Sequence, residues 1–211
     1  SERIIIMSRY RGPKLRIIRK LGDLPGFTSK TTERLFPPGQ HGPGKAGRKS
    51  SLSEYGIRLQ EKQKLRYNYG ISEKQLLSYV KEARRLPGAT GSILLQILEM
   101  RLDNIVYRLG FAPTISAARQ IVSHGHITVN GKKVNVASFQ CKPKDLIAVR
   151  EKKGSQSLAK ANVENVDFRA VPPHLELDRD NLKGNVLSVA NRDSVDLKVN
   201  ELLIVEFYSR K

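Results

Sequence analysis

The chain has 211 residues, with 38 Lys and Arg against 20 Asp and Glu, which gives a net charge of +18 at neutral pH. Such an excess of positive charge is typical of proteins that bind a polyanion, because each neutralised phosphate releases condensed counterions. The single cysteine excludes an internal disulfide and argues against a zinc cluster, and no apolar run reaches the roughly 18 residues that a membrane-spanning helix needs.

The positive charge is concentrated in the first two thirds of the sequence. Residues 1–100 carry 20 Lys and Arg and 8 Asp and Glu, residues 101–150 carry 8 and 2, and residues 151–211 carry 10 of each. We therefore expect the anionic partner, a nucleic acid or else an anionic membrane surface, to bind the first two thirds. The last third is expected to have a structural role.

The N-terminal segment, residues 1–52, is predicted to be basic and largely irregular. Residues 1–6 are too short and too weakly apolar for a signal peptide, and the sequence reads like a natural start from Met7. Gly12-Pro13 is expected to break a helix near its start. Apolar residues among the charges predict a segment that docks on the protein and contacts RNA, rather than a free tail. The basic residues are Arg9, Arg11, Lys14, Arg16, Arg19 and Lys20.

Residues 24–51 are rich in Gly, Pro, Ser and Thr and are predicted to form a loop. Gly39, Gly44 and Lys45 match the spacing of a nucleotide-binding phosphate loop. The match fails because Ala46 stands where a Ser or Thr must bind magnesium. We instead expect a basic loop that lies on phosphates of a nucleic acid. Its candidate ligands are Lys45, Arg48 and Lys49.

Helical patterns follow from residue 53 onwards. Ser53 is expected to cap a helix that runs to Tyr69, and Ser72-Glu73-Lys74-Gln75 forms a capping box for a second helix. A third helix is predicted from Thr90 to Leu109 and ends at Gly110. The candidate RNA ligands on the first two helices are Arg58, Lys62, Arg66, Arg84 and Arg85.

The third predicted helix carries two arginines, Arg101 and Arg108. Because they are seven residues apart, they are expected to project from one side of the helix. Asp103 lies between them in sequence, and its position on the helix predicts that it points elsewhere.

Residues 100–150 have the clearest fold signals. Ser116 is predicted to cap a short helix with Arg119 and Gln120 outward. Asn130-Gly131 predicts a hairpin between two short strands, and residues 146–149 form a closing strand. His124 and His126 have no nearby acid or second ligand, so no metal site is expected.

The last third is predicted to contain several short elements. Residues 151–165 form a polar connection with a helix around Leu158, and residues 171–175 form a loop. Residues 184–190 and 195–199 alternate as two strands around a turn. Asn200 is expected to cap a final helix, whose apolar side chains need burial.

Several of these stretches together resemble the small-subunit ribosomal protein S-four family. RLDNIVYRLG and ISAARQIVSHGHITVNGKKV are similar to its RNA-binding domain, and MSRYRGPKLRIIRKLGDLPG, IRLQEKQKLRYNYGISEKQLLSYV and NELLIVEFYSRK to its flanks. The resemblance covers nearly the whole chain from Met7. It implies an α+β fold, with a mostly helical basic N-terminal domain and a small RNA-binding domain of two helices packed on a short antiparallel sheet. The implied domains are an extension over residues 1–52, a helical domain over residues 53–99 completed by residues 200–211, an RNA-binding domain over residues 100–163, and a loop and strand region over residues 164–199.

The resemblance also implies a function. The chain would be a structural constituent of the small ribosomal subunit and a primary rRNA-binding protein, which nucleates assembly of the subunit body and contributes to translational accuracy. The implied partners are small-subunit rRNA, the neighbouring S-five family member and mRNA where it enters the subunit, with no membrane. The implied location is the ribosome of the plastid (chloroplast) stroma, or alternatively the bacterial cytoplasm. The matching RNA-binding positions are Arg101, Arg108, Arg119, Gln120, His124, His126, Asn130, Lys132 and Lys133.

No cofactor is expected. Some relatives bind zinc through N-terminal cysteines, and this chain lacks them. The alternative function is an RNA-modifying or RNA-remodelling accessory protein with the same module, since Arg101-Leu102-Asp103 matches a pseudouridine-synthase motif with a catalytic aspartate. The motif lies inside a predicted helix, so we expect Asp103 to form a local salt bridge or a helix-side contact, and the chain not to be an enzyme. Replacing Arg101 and Arg119 by Ala is expected to weaken rRNA binding without unfolding the chain.

Overall fold

A computed structural model of the chain describes residues 10–34, 36–39, 42, 52–164 and 171–209. Four predicted RNA ligands, Arg9, Lys45, Arg48 and Lys49, lie outside the described residues. The chain divides into two compact units, Ser1–Gly91 with Val199–Lys211, and Ser92–Lys198. None of the described helices is long and apolar enough to cross a membrane.

The described elements confirm the predicted α+β class. The helices are α1 (Lys14–Leu21), α2 (Glu54–Asn68), α3 (Glu73–Ala83), α4 (Thr90–Glu99), α5 (Leu102–Arg108), α6 (Ile115–Ser123), α7 (Lys153–Glu164) and α8 (Glu201–Ser209). The strands are β1 (Ile127–Val129), β2 (Lys132–Lys133), β3 (Leu146–Val149), β4 (Leu175–Asp178) and β5 (Lys183–Val186).

Short polar side chains fix the starts of three helices in the first unit, as predicted. Ser53 Oγ accepts from the backbone N–H of Gly56 at 3.2 Å at the start of α2. Ser72 and Gln75 form both bonds of the capping box of α3. Asn200 Oδ1 accepts from the N–H of Leu202 at 3.1 Å, which begins α8. Each bond satisfies a donor that the first turn of a helix otherwise leaves unpaired.

The N-terminal segment is less irregular than predicted, because α1 lies within it. The helix begins directly after Pro13, whose extended backbone precedes the first turn. Leu21, Leu24 and Phe27 are buried, so this segment contributes to the core of the first unit. In the same unit, α8 packs against α2 and α3.

The prediction of one helix from Thr90 to Leu109 is wrong. The backbone leaves the helical region at Arg101, with φ −71° and ψ 141°, and α5 begins after it. The N–H groups of Leu102 and Asp103 donate to the carbonyls of Phe139 and Ala137 at 2.9 and 3.1 Å, instead of to the preceding turn. Arg101 and Arg108 therefore do not project from one side of a single helix.

The second unit contains a five-stranded antiparallel sheet of order β2-β1-β3-β5-β4. Asn130 and Gly131 have φ angles of 50° and 77°, the conformation that the hairpin between β1 and β2 requires. This hairpin and the closing strand β3 confirm the predictions for this part of the chain. The helix α6 is also confirmed, but its cap is Thr114 rather than Ser116, since Thr114 Oγ1 accepts from Ala117 N–H at 3.2 Å.

The last third differs from its prediction in the positions of the strands. The observed hairpin pairs β4 with β5, so the strand predicted over residues 184–190 begins earlier and is shorter. Residues 195–199 are not a strand; they follow a short 3-10 turn over Arg192–Ser194. The turn between β4 and β5 is fixed by Asp178, whose carboxylate accepts from Asn181 N and Nδ2 at 3.1 and 2.7 Å. The helix predicted around Leu158 is confirmed as α7.

Candidate nucleic-acid interface

Two of the predicted RNA ligands of the second unit, Arg101 and Arg119, bind one buried carboxylate. Arg101 Nε and Nη2 donate to the two oxygens of Asp103 at 3.0 and 2.7 Å. Arg119 Nε and Nη2 donate to Asp103 Oδ2 at 3.2 and 2.8 Å. Asp103 is 0% exposed and Arg101 is 2% exposed. The expected local salt bridge of Asp103 is therefore confirmed, and it ties α6 to the start of α5.

Arg108 is the centre of a second internal network. Its Nε and Nη2 donate to the oxygens of Glu99 at 3.1 and 2.9 Å, and its Nη1 pairs with Asp196. Asn104 Nδ2 donates to the same Glu99 carboxylate at 2.6 Å. Glu99 is fully buried. A phosphate that took Arg108 would break its ion pair with the buried Glu99, and one that took Arg101 would remove one of the two cations from the buried Asp103; both losses are costly.

Five other predicted ligands of the second unit are exposed: Gln120, His124, Asn130, Lys132 and Lys133. The side chain of Lys133 lies beside Gly125, so the β1–β2 hairpin adjoins the end of α6. This exposed area, which we call the hairpin surface, comprises Gln120, His124, Lys132 and Lys133.

Two predicted ligands near the hairpin surface have bonds inside the unit. His126 is half-buried, and its Nδ1 is 2.8 Å from Ser155 Oγ on α7. Asn130 is exposed, but its amide donates to Asp145 Oδ1 at 2.8 Å and its Oδ1 accepts from Leu146 N–H at 2.9 Å. Asn130 therefore stabilises the β1–β2 hairpin through these two hydrogen bonds.

Lys62 and Arg58, predicted ligands in the first unit, are also ion-paired inside it. Lys62 is 5% exposed, and its ammonium group donates to Glu73 at 2.7 Å and lies 5.0 Å over the Phe207 ring. Arg58 pairs with Glu54 and Glu206 at 3.2 and 2.8 Å.

Glu73 joins three helices of the first unit. It accepts from Lys62 on α2 and from the Tyr208 hydroxyl on α8, the latter at 2.7 Å. Burial alone would raise the pKa of Glu73, but the hydrogen bonds from Lys62 and Tyr208, together with the charges of Lys62 and Arg66, lower that pKa below its ordinary value. The carboxylate therefore stays charged and holds α8 against α2 and α3.

Three further predicted ligands of the first unit are in contact with its own groups. Lys14 Nζ donates to Phe27 O at 2.9 Å, and Arg19 Nε donates to Phe36 O at 2.8 Å. The Arg66 guanidinium lies 4.8 Å over the Tyr67 ring. Lys14, Arg19 and Arg66 thus fix loops and rings of the protein itself.

The remaining predicted ligands among the described residues of the first unit are exposed. No ion pair within the described part of the chain involves them. These residues are Arg11, Arg16, Lys20, Arg84 and Arg85.

Lys142 and Lys144 are exposed cations that the sequence reasoning did not select as ligands. The turn that carries them is closed by Asp145, whose Oδ2 accepts from Lys142 N–H at 2.7 Å and whose Oδ1 binds Asn130. The signal that could have found them is the alternation of lysines around Pro143 within the basic stretch.

No group of His, Cys, Asp and Glu among the described residues is arranged to hold a metal ion. Burial raises the pKa of the Cys141 thiol to about 12, and the charges of Asp145 and Asp103 add to that increase. The thiol is therefore protonated at neutral pH and is a poor metal ligand.

Comparison with known proteins relates nearly the whole chain to one family. The model of the ribosomal protein S4/S9 N-terminal domain matches residues 9–99, and the model of the S4 domain matches residues 100–147. The chain is 60% identical to small ribosomal subunit protein uS4 of Nostoc punctiforme, and 58% identical to those of Trichodesmium erythraeum and Synechococcus elongatus. Each match spans 205 residues, 97% of this chain and 100% of the relative. The chain therefore belongs to the uS4 family of small ribosomal subunit proteins, the S-four family of the sequence resemblance.

Proposed function

We propose that the chain is a structural constituent of the small ribosomal subunit and a primary rRNA-binding protein. In this role it nucleates assembly of the subunit body and contributes to translational accuracy. Similarity over the full length of uS4 proteins supports the role. The observation that carries RNA binding is that each unit has exposed cations without an internal ion pair in the described residues, in a chain of net charge +18.

The chain is a structural constituent rather than an enzyme. The one motif that suggested RNA modification places its aspartate, Asp103, in a fully buried site with two arginine partners. A catalytic aspartate must reach the base on which it acts. No observation favours the accessory-enzyme alternative.

The predicted RNA ligands divide into two roles. Exposed side chains bind the RNA directly, the cations among them through phosphates, because they gain a partner without losing one. Buried or internally bonded residues stabilise the conformation of the protein surfaces. To contact a phosphate, they would have to give up hydrogen bonds, ion pairs or ring contacts inside the protein. The direct ligands are Arg11, Arg16, Lys20, Arg84, Arg85, Gln120, His124, Lys132 and Lys133, with Arg9, Lys45, Arg48 and Lys49 added from the sequence alone. The supporting residues are Lys14, Arg19, Arg58, Lys62, Arg66, Arg101, Arg108, Arg119, His126 and Asn130.

We further propose the domains, the partners and the location of the chain. The helical domain comprises residues 53–99 and 200–211, and the RNA-binding domain residues 100–163. Besides small-subunit rRNA, the partners are the S-five family member and mRNA where it enters the subunit. The ribosome is that of a plastid, with the bacterial cytoplasm as the alternative; the cyanobacterial source of the relatives is compatible with both. Detection of the chain in ribosomes from purified plastids tests the location.

The purified chain should bind a small-subunit rRNA transcript at one-to-one stoichiometry. The logarithm of its affinity should fall linearly with the logarithm of salt concentration, because phosphates supply most contacts. Filter binding measures affinity, and hydroxyl-radical footprinting should reveal protection at a defined set of rRNA nucleotides. Equal affinity for an unrelated structured RNA of the same length would contradict the proposal.

A further inference from the structure

Three aromatic side chains of the first unit form a cluster: Tyr10, Phe27 and Tyr67. The Tyr10 ring meets the Tyr67 ring edge to face at a centroid distance of 5.4 Å, and it lies 6.1 Å from Phe27. Phe27 and Tyr67 are 5.7 Å apart. Phe27 is buried, whereas Tyr10 is 39% exposed. The cluster thus anchors one aromatic ring in the core and presents another to solvent.

The exposed ring is held in place by local bonds. The Tyr10 hydroxyl donates to Pro13 O at 3.3 Å, next to the start of α1. Asn68 Oδ1 accepts from the N–H of Gly26 at 2.9 Å, which fixes the turn carrying Phe27 to the end of α2. A tyrosine with few free torsions loses little conformational entropy when a flat partner stacks on it.

Cations lie against the inner rings of the cluster. Lys14 Nζ is 5.3 Å from the Phe27 centroid, and the Arg66 guanidinium is 4.8 Å from the Tyr67 centroid. Arg66 Nε is buried and has no hydrogen-bond partner among the described residues. These contacts place positive charge on the two rings that the Tyr10 ring itself contacts.

Three cations of this part of the first unit lack anionic partners within the described chain. Arg11 follows Tyr10 in the sequence and is exposed. Burial lowers the pKa of Lys14, and the positive charge of Lys30 lowers it further by repulsion. None of these three cations is ion-paired with a described carboxylate. An anion bound here would relieve the repulsion between Lys14 and Lys30.

We propose that Tyr10 is a stacking platform for one unpaired base of the bound RNA. Arg11 and Lys30 bind the phosphates that flank this base, and Lys14 adds positive charge while it stays bonded to Phe27 O. The base is unpaired because the faces of paired bases are covered by their neighbours in the helix. Stacking on a tyrosine is tolerant of base identity, since every base has a π face. This inference rests on the proposed rRNA-binding function and adds a site to it.

A tryptophan at position 10 tests the site directly, because the chain contains no tryptophan of its own. The variant Tyr10→Trp should bind the small-subunit rRNA transcript, and its fluorescence should be strongly quenched on binding because a base stacks on the indole. The matched control is Tyr55→Trp, at a tyrosine that is 60% exposed in the same unit. Its fluorescence should change little. Unquenched emission from Tyr10→Trp at saturating RNA, or equal quenching at both positions, would overturn the inference.

Two further variants separate stacking from charge. Tyr10→Phe keeps the ring and should bind rRNA nearly as the wild type does. Tyr10→Leu should bind about tenfold more weakly, with an unchanged slope of affinity against salt because no phosphate contact is lost. Equal affinity of the Leu and Phe variants would refute the stacking platform.

Two controls distinguish a loss of folding, a failure of the proposed function and a failure of the stacking site. Circular dichroism should give Tyr10→Leu the helix content of the wild type; should it unfold, the fluorescence of Tyr10→Trp decides the question alone. If the wild-type chain shows no preference for small-subunit rRNA, the proposed function fails. If the wild-type chain does prefer small-subunit rRNA, but Tyr10→Leu binds it as tightly as the wild type and Tyr10→Trp is not quenched, the stacking site alone fails.

Discussion

At the scale of single residues, some cations of the chain form buried ion pairs and others are exposed, and the two kinds look alike in sequence. Arg101 and Arg119 share Asp103 inside the second unit, whereas Lys132 and Lys133 are exposed on the hairpin surface. The sequence predicted all four as RNA ligands, because residue type and spacing do not reveal which carboxylate will be buried nearby. The salt bridge of Asp103 was predictable; its two arginine partners were not.

Replacing the shared carboxylate should destabilise the second unit. Asp103→Asn removes the negative charge from two arginines that are already desolvated, so the free energy of unfolding should fall by about 3 kcal/mol. Urea denaturation followed by circular dichroism measures this loss. The control Asp180→Asn changes an exposed turn residue and should stay within about 0.5 kcal/mol of the wild type. Equal effects of the two changes would contradict the structural role of Asp103.

The same pairing alters an expectation from the sequence. Replacing Arg101 and Arg119 by Ala would leave Asp103 buried without a cation, so this double variant should be unstable as well as weak in RNA binding. Substitution of the exposed lysines is the cleaner probe of the RNA contact.

A buried histidine should make the second unit sensitive to acid. His174 is 2% exposed, and neither ring nitrogen has a hydrogen-bond partner among the described residues. Burial lowers the pKa of His174 below 6.5, with Glu99 opposing and Arg108 reinforcing the shift. The unfolded chain therefore binds more protons in acid, and stability should be lost as pH falls below about 6.5.

Chemical denaturation between pH 7.5 and about 5 measures this loss. His174→Gln should flatten the pH dependence, whereas His124→Gln, at an exposed position, should leave it unchanged. A wild-type stability that does not vary over this pH range would count against a buried neutral histidine.

At the scale of elements, the helix starts were predictable because a cap is a local signal. Ser53, Ser72 and Asn200 each bind an N–H two or three residues ahead. The break between α4 and α5 was not predictable, since it depends on carbonyls of Phe139 and Ala137 more than 30 residues away. β5 also pairs with β3, more than 30 residues earlier in the chain, so its bounds were not predictable from local sequence either.

The close approach of β5 to α5 gives an element-scale prediction. A Cβ on Gly184 would lie 2.6 Å from Leu109 Cδ2, in a buried site. Gly184→Ala should therefore lower the free energy of unfolding by about 1–3 kcal/mol through overpacking. Gly154→Ala in α7 meets no atom within 4 Å and should stabilise the chain by about 0.5–1 kcal/mol. Thermal unfolding measures both, and a neutral Gly184→Ala would show that this contact adapts easily.

At the scale of the whole molecule, fold class and function follow from sequence more securely than the details of any surface. The charge distribution, the hairpin signal and the periodicity of the helices are each spread over many residues, so local errors do not change the conclusion. Individual RNA ligands depend on burial and on partners, which only the folded chain determines.

The salt dependence of rRNA binding should reveal which cations contact phosphate. Lys132→Gln with Lys133→Gln should reduce the slope of log affinity against log salt by about 1 to 2, since each lost phosphate contact removes roughly 0.7–0.9. Lys183→Gln, in the third of the chain with no net charge, should leave the slope unchanged. An unaltered slope in the double variant would mean that the hairpin surface does not face RNA.

The return of α8 to the first unit has a consequence for how the chain is made. Arg58 and Glu206 pair across 148 positions, and Glu61 accepts from the N–H of Asn200 across 139. During synthesis, the second unit can form as soon as its own residues have emerged. The first unit cannot be completed until α8 has been translated, and α8 follows the whole second unit in the sequence. The earliest-made residues of this rRNA-binding protein are therefore expected to be the last to reach their folded state. In a nascent chain stalled before Glu201, the β1–β3 strands should become resistant to proteolysis before α2 does.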